Sequence, residues 1–252
     1  MLRAALVILS LLASFPTSAL VGNAPPAGDF ARAAVMIVGS RGNSCTGTLI
    51  ARDLVLTAAH CVPPGFDYKL VQYDAQRQPG LRDISRIERH PKFSQQTFDS
   101  HTATADVALI KLAAPAQNNA QGTLFSGAFT VAPGDRFTVA GYGLTERGNG
   151  KSGGTLRAAN LVATGRPGNL QIRLVDPVIK GERVGLGACT GDSGGPVFRD
   201  EGGRFQIIGV VSWSTGPNNS EGCGGLTGVT PLSLYRNWIV DTARKLGSPL
   251  AP

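Results

Sequence analysis

Residues 187–198 read GACTGDSGGPVF, four glycines around a single serine with an apolar run just beyond. Gly-Asp and Ser-Gly are ordinary turn dipeptides, so at its plainest the stretch is a tight turn feeding a strand at Pro196–Phe198. The glycines flanking Ser193 suggest more. They permit backbone angles that other residues do not hold, so the hydroxyl can project while the Ser193 N–H points into a cleft. A hydroxyl is a poor nucleophile unless a base takes its proton. A functional Ser193 therefore requires a histidine, and a group to orient it, elsewhere in the chain.

The chain has three histidines. His90 precedes Pro91 in RHPKF, a loop-like context, and His101 lies in the polar stretch SHTATAD. His60 sits in TAAHC, directly after the apolar run Leu54–Thr57 and beside a cysteine that can anchor it. In DVALI, residues 106–110, Asp106 stands at the mouth of another apolar run. Singly these have bland explanations, a buried structural histidine and a strand-capping aspartate. The serine turn, the histidine and the acid gain meaning only as a set.

The rest of the chain has the composition of a strand-and-turn protein. Glycine (33) and proline (16) are plentiful and charged residues make up 16%. Short β-branched runs recur at Ala34–Val38, Thr48–Ile50, Leu54–Thr57, Val107–Leu112, Phe137–Ala140, Leu170–Leu174, Pro196–Phe198 and Phe205–Trp213. Their spacing predicts antiparallel sheets or barrels rather than βαβ units. The polar stretch Ala113–Ser126 reads as a connection between two halves. Leu234, Trp238, Ile239 and Thr242 recur at helical spacing before Gly247, which predicts the one substantial helix of the mature chain.

At the N-terminus Arg3, the apolar run Ala4–Ala13 and the small residues Thr17 and Ala19 read as a signal peptide over residues 1–19. The run is shorter than the roughly 20 residues a membrane span needs, so no stable membrane association is expected after cleavage. The formal charge of +7 falls to +6 when Arg3 leaves. Its basic residues are scattered, which argues against nucleic acid. Cys45, Cys61, Cys189 and Cys223 in an exported chain suggest two disulfides, with three pairings open. Pairing within each half closes loops of moderate length, each bridge contributing about 3–4 kcal/mol in the chain-entropy picture. No CxxC or HExxH pattern points to a metal, and none is expected, nor any cofactor.

TAAHC, DVALI and GDSGGP in that order make the chain resemble the chymotrypsin/trypsin-like serine peptidases. The likeness runs through the whole mature region. It includes Gly141-Tyr142-Gly143 where the family usually has GWG, then Val211-Ser212-Trp213 and Gly228-Val229-Thr230. The resemblance implies an all-β fold of two six-stranded antiparallel β-barrels with a C-terminal helix. Residues 20–118 would form the first barrel, carrying His60 and Asp106, and 119–252 the second, carrying Ser193. It implies that Asp106 orients His60, that His60 takes the Ser193 proton, and that the N–H groups of Gly191 and Ser193 form an oxyanion hole. It also matches the pairing within each half, Cys45 with Cys61 and Cys189 with Cys223.

For substrate binding, the resemblance implies that Ser212, Trp213 and Ser214 hold the substrate backbone as an added strand. Gly187 falls at the base of the primary pocket, where trypsin-like members carry aspartate. Ser214, in place of the usual glycine, and Gly228 would line its walls. An uncharged, apolar residue of small to medium size before the scissile bond is expected, unless Glu221 reaches into the pocket. Leu20-Val21-Gly22-Asn23 resembles the family's activated N-terminus, whose ammonium pairs with the aspartate beside the nucleophile, here Asp192. Signal cleavage after Ala19 would then itself activate the enzyme. The expected protein is a monomeric, secreted or periplasmic endopeptidase acting on polypeptides. The competing expectation is a catalytically inactive, cationic binding module on the same fold.

Overall fold

The computed structural model describes residues 20–250 apart from 74–77, 101, 118–119, 128–129 and 165–169. The leader expected over 1–19, the boundary expected at 118–119, and His101 lie outside the described residues.

The first half forms six strands: β1 (Ala34–Gly39), β2 (Ser44–Ala51), β3 (Leu54–Thr57), β4 (Tyr68–Tyr73), β5 (Pro79–Arg89) and β6 (Ala108–Leu112). They close antiparallel in the order β1-β2-β3-β6-β5-β4. Alternation fills the barrel with Val35, Ile37, Leu49, Val55, Leu70, Ile110 and Leu112. The opposite face of β3 and β6, with Leu54, Leu56 and Leu109, packs against Ala140, Phe198, Ile207 and Val210 of the second half. Being covered on both sides is why these two strands read as largely apolar runs. β4 and β5 lie partly against solvent, with Leu81 64% exposed. Their mixed pattern explains why neither was predicted.

The second half contributes β7 (Thr123–Leu124), β8 (Arg136–Gly141), β9 (Arg157–Ala163), β10 (Ile172–Val175), β11 (Pro196–Glu201), β12 (Arg204–Ser214) and β13 (Thr227–Pro231). Six of these close through β11–β12 pairing, and β7 adds itself in parallel to the edge of β12. The stretch expected to be a plain connection thus supplies a two-residue strand. Phe137, Val139, Leu161, Ile172, Leu174, Val197 and Val229 fill this barrel, together with Leu20 from the N-terminal segment.

A short helix, α1 (Gln95–Asp99), is capped by the Ser94 hydroxyl, which accepts the Thr97 N–H. The predicted C-terminal helix is α2 (Arg236–Lys245), and it buries Ile239, Thr242 and Ala243 in the core shared by the barrels. Just beyond it, Ser248 donates to Asp53 Oδ1 (2.5 Å) and accepts from Lys111 Nζ (2.6 Å). Lys111 also donates to Asp53 Oδ2 (2.6 Å). The end of the chain is thereby pinned to two strand ends of the first barrel. Disulfides join Cys45 to Cys61 and Cys189 to Cys223.

Candidate active site

His60 lies in a 3₁₀ turn, Ala59–Cys61, that follows β3, and Asp106 stands two residues before β6. β3 and β6 are paired, with Thr57 opposite Ala108, so their ends bring the two residues together. Asp106 Oδ2 lies 2.8 Å from His60 Nδ1, and Oδ1 accepts the His60 backbone N–H at 2.9 Å. The second barrel supplies a third partner. A bulge in β12 between Val211 and Trp213 turns Ser212 inward, where its hydroxyl donates to Asp106 Oδ2 at 2.5 Å.

Asp106 is fully buried. Burial works against its charge, yet His60 and the Ser212 hydroxyl outweigh it and hold the carboxyl below its ordinary value. The arrangement fixes the imidazole with Nδ1–H toward the carboxylate and Nε2 toward the cleft. Phe98, from α1, stacks on the His60 ring with centroids 4.2 Å apart and shields that face from water.

Ser193 occupies the turn before β11 and is partly exposed. Its carbonyl accepts the Thr46 N–H (2.8 Å), the Thr46 hydroxyl donates to the Gly191 carbonyl (2.8 Å), and the Tyr142 N–H donates to that hydroxyl (3.0 Å). Thr46 follows Cys45, whose disulfide partner Cys61 adjoins His60. One short segment of β2 therefore tethers both the serine turn and the histidine turn. Among the described residues no hydrogen bond joins Ser193 Oγ to His60 Nε2. Such bonds are often long in free enzymes and tighten only around substrate.

The serine turn fits the first barrel because it lacks side chains. Gly191 (φ +96°) and Gly194 (φ +78°) hold left-handed backbone angles. A Cβ on Gly194 would fall 2.1 Å from Thr57 Oγ1. Among the described residues neither the Gly191 N–H nor the Ser193 N–H donates to another group, so both remain available.

Asp192, between them, is fully buried and accepts from Gly143 N–H (2.8 Å) and Cys189 N–H (2.9 Å). Burial outweighs those two bonds and pushes its carboxyl up to about 7. Leu20 is fully buried, Val21 forms a β-bridge with Gly187, and Gly22 presses on the backbone of Gly185. No bond joins Leu20 to Asp192 among the described residues. In this chain the Leu20 nitrogen is an uncharged peptide amide.

Gly187 is buried, and a Cβ there would lie 3.0 Å from Gly224 Cα. Ser214 is the cross-strand partner of Thr227, whereas Trp213 is opposite Gly228. A Cβ on Gly228 would come 2.1 Å from Trp213 Cε2, so Gly228 seats the indole. Thr227, which the sequence did not single out, takes the place opposite Ser214. Glu221 pairs outward with Arg147, which also donates to the Glu221 carbonyl at 3.1 Å.

His90 is buried between Tyr235 and Trp238, its Nδ1 accepting the Lys92 N–H at 3.1 Å, a structural histidine. Among the described residues the one cluster of metal-type donors is Cys45, His60 and Cys61. Its sulfurs are joined to each other and offer no thiolate. No described helix is long and apolar enough to cross a membrane.

Thr46, Phe98 and Thr227 were beyond sequence reasoning. Each matters through a partner remote in sequence, and no local motif marks it.

A protein-family model described as Trypsin matches residues 20–239. Kallikrein-11 of Homo sapiens is 28% identical over 211 residues, 79% of this chain and 72% of its own length.

Proposed function

Because the chain belongs to the trypsin family of serine proteases, we propose that it is an endopeptidase in which Ser193, His60 and Asp106 cleave peptide bonds through an acyl-enzyme. The observation that carries this reading is the Asp106 carboxylate, buried yet held charged, with His60 Nδ1 at 2.8 Å. That pairing leaves Nε2 as the base. His60 takes the Ser193 proton as Oγ attacks the carbonyl, then returns it to the leaving amine. The Gly191 and Ser193 N–H groups stabilise the oxyanion, a contribution of about 10²–10³ in rate per donor. Ser212–Ser214 hold the substrate backbone as an added strand. With glycine at position 187 and Glu221 drawn out to Arg147, the residue before the scissile bond is uncharged and apolar.

The protein is exported, with residues 1–19 as its leader, and works as a monomer built of barrels at 20–118 and 119–252. Leader removal frees the Leu20 amine as a cation for Asp192, so the cut that releases the protein also orders the oxyanion turn. Supporting this, Val21 already bridges Gly187, and among the described residues Asp192 has no charged partner. N-terminal sequencing of secreted protein should give Leu20; any other start refutes activation by the leader cut.

Covalent labelling by a fluorophosphonate probe tests the reading as a whole. Processed protein should label at Ser193, and Ser193→Ala should not. Failure of the processed, disulfide-bonded protein to label would favour the cationic binding module.

A further inference from the structure

We infer that the cavity between α2 and β7, with Arg236 and Arg244 in its lining, binds a small amphiphilic anion. Its oxyanion head would rest on the guanidinium groups and its alkyl body on apolar side chains. None of the residues proposed for catalysis lines this cavity, and the inference does not depend on the peptidase reading.

The walls belong to the fold. Arg236, Val240 and Arg244 stand four residues apart along α2 and form one stripe, while Ile239, Thr242 and Ala243 turn into the core. Across from the stripe are Ile50 of β2, Leu124 of β7 and Gln206 of β12. With Ser248 held by Asp53 and Lys111, the residues that follow it, Pro249 and Leu250, are kept against the cavity as a further wall. The space enclosed is about 520 Å³, within the roughly 300–1,000 Å³ common for small-ligand sites.

The charge of the lining is one-sided: it includes two arginines and no acid. Arg236 is partly buried, and among the described residues its side chain has neither a carboxylate nor a hydrogen-bond partner. Arg244 reaches Asp241 at 3.2 Å, an exposed pair that competes weakly with a ligand. The first turn of α2 holds no acid and its N-cap makes no side-chain bond, so the positive end of the helix stands uncompensated beside Arg236. A guanidinium drawn away from water without an anion is costly. An oxyanion accepting two of its N–H groups removes that cost.

The remaining lining sets the rest of the ligand. Gln121, Thr123, Ser126 and Gln206 offer further hydrogen-bonding side chains. Ile50, Leu124, Val240 and Leu250 present apolar surface that a bare inorganic ion would leave uncovered and an alkyl chain of several carbons would bury.

Calorimetric titration and thermal unfolding of secreted, disulfide-bonded protein test the inference, with octanoate, acetate and octylamine as probes. Octanoate should bind and raise the unfolding temperature. Acetate lacks the alkyl body and octylamine the anion, so each should bind at least about tenfold more weakly. Arg236→Gln keeps hydrogen-bonding capacity and removes the charge. It should weaken octanoate by about 10- to 100-fold, the range for a lost hydrogen bond to a charged group. No partner in the chain depends on Arg236, so this variant should fold as the wild type does. Arg244→Gln, at an exposed position, is a second variant and should weaken octanoate by less. Octanoate without effect on folded wild-type protein overturns the inference. So does acetate or octylamine binding as tightly as octanoate, or octanoate binding that neither variant weakens. A heparin oligosaccharide that binds through these arginines where octanoate does not also overturns it, in favour of a polyanion surface. Fluorophosphonate labelling at Ser193 is read separately, so failure here leaves the peptidase reading standing.

Discussion

Asp106 and Asp192 are both fully buried aspartates, and the molecule treats them in opposite ways. Asp106 has His60 and the Ser212 hydroxyl, and its carboxyl is held below the ordinary range. Among the described residues Asp192 has two backbone N–H partners and no cation, and its carboxyl rises to about 7. The comparison teaches that burial alone does not set the charge of a carboxylate; what matters is whether partners that favour the ionised form accompany it inward. In one case the partner is built into the fold. In the other, on the reading proposed above, peptide cleavage supplies it.

Asp106→Asn should break the first half of the comparison most severely. The imidazole loses its orienting anion, and kcat should fall about 10⁴-fold with KM little changed, as steady-state kinetics will show.

A contrast in pH dependence comes next. The Asp192 carboxyl titrates at 3.8 in the unfolded chain and at about 7 here. Between those values the folded protein holds a proton that the unfolded chain releases, so stability falls as pH rises through that window. Asp106 acts with the other sign. Its lowered value contributes stability above pH 3.8 that is lost as pH falls through the folded value. In the uncut chain Asp192→Asn should flatten the decline between pH 4 and 7, removing a penalty on the order of 3–5 kcal/mol at neutral pH. In chain beginning at Leu20 that decline should be absent even with aspartate in place. Thermal unfolding of both forms across pH 4–8 reads the difference.

These two carboxylates were legible in the sequence to different degrees from their surroundings. TAAHC, DVALI and GDSGGP declare themselves because each packs several local demands into five or six residues, such as glycines at the left-handed positions 191 and 194. The barrel strands covered on both faces, β3 and β6, are likewise plain as apolar runs. β4 and β5 were not read, since a strand partly against solvent mixes polar and apolar residues. Thr227, the cross-strand partner of Ser214, carries no local mark in the sequence. The bulge at Ser212 shifts the register of β12 against β13, and nothing in the local composition announces it. Thr46 is hidden for a related reason: the groups it joins lie 145 and 96 residues away.

Thr46→Val sharpens the comparison from the neighbouring turn. It strands the Gly191 carbonyl and the Tyr142 N–H while keeping shape, and should cost about 1–3 kcal/mol of stability. Because the Gly191 peptide is then loosely held, kcat should fall more than KM rises.

The smallest effect belongs to Glu221→Gln. The pair with Arg147 is exposed, so its loss should change stability by no more than about 1 kcal/mol, and less at high salt. Cleavage preference should not move, because the carboxylate is already engaged by Arg147.

The three-way contact among Ser248, Lys111 and Asp53 bears on how the molecule comes into being. A strand end of the first barrel waits for a hydroxyl 195 positions downstream of Asp53, and α2 caps the core that both barrels share. A chain emerging from the ribosome can therefore make these contacts only once residue 248 has been synthesised. The strands of the first barrel close on one another, while the outer face of β3 and β6 is covered only when the second half is in place.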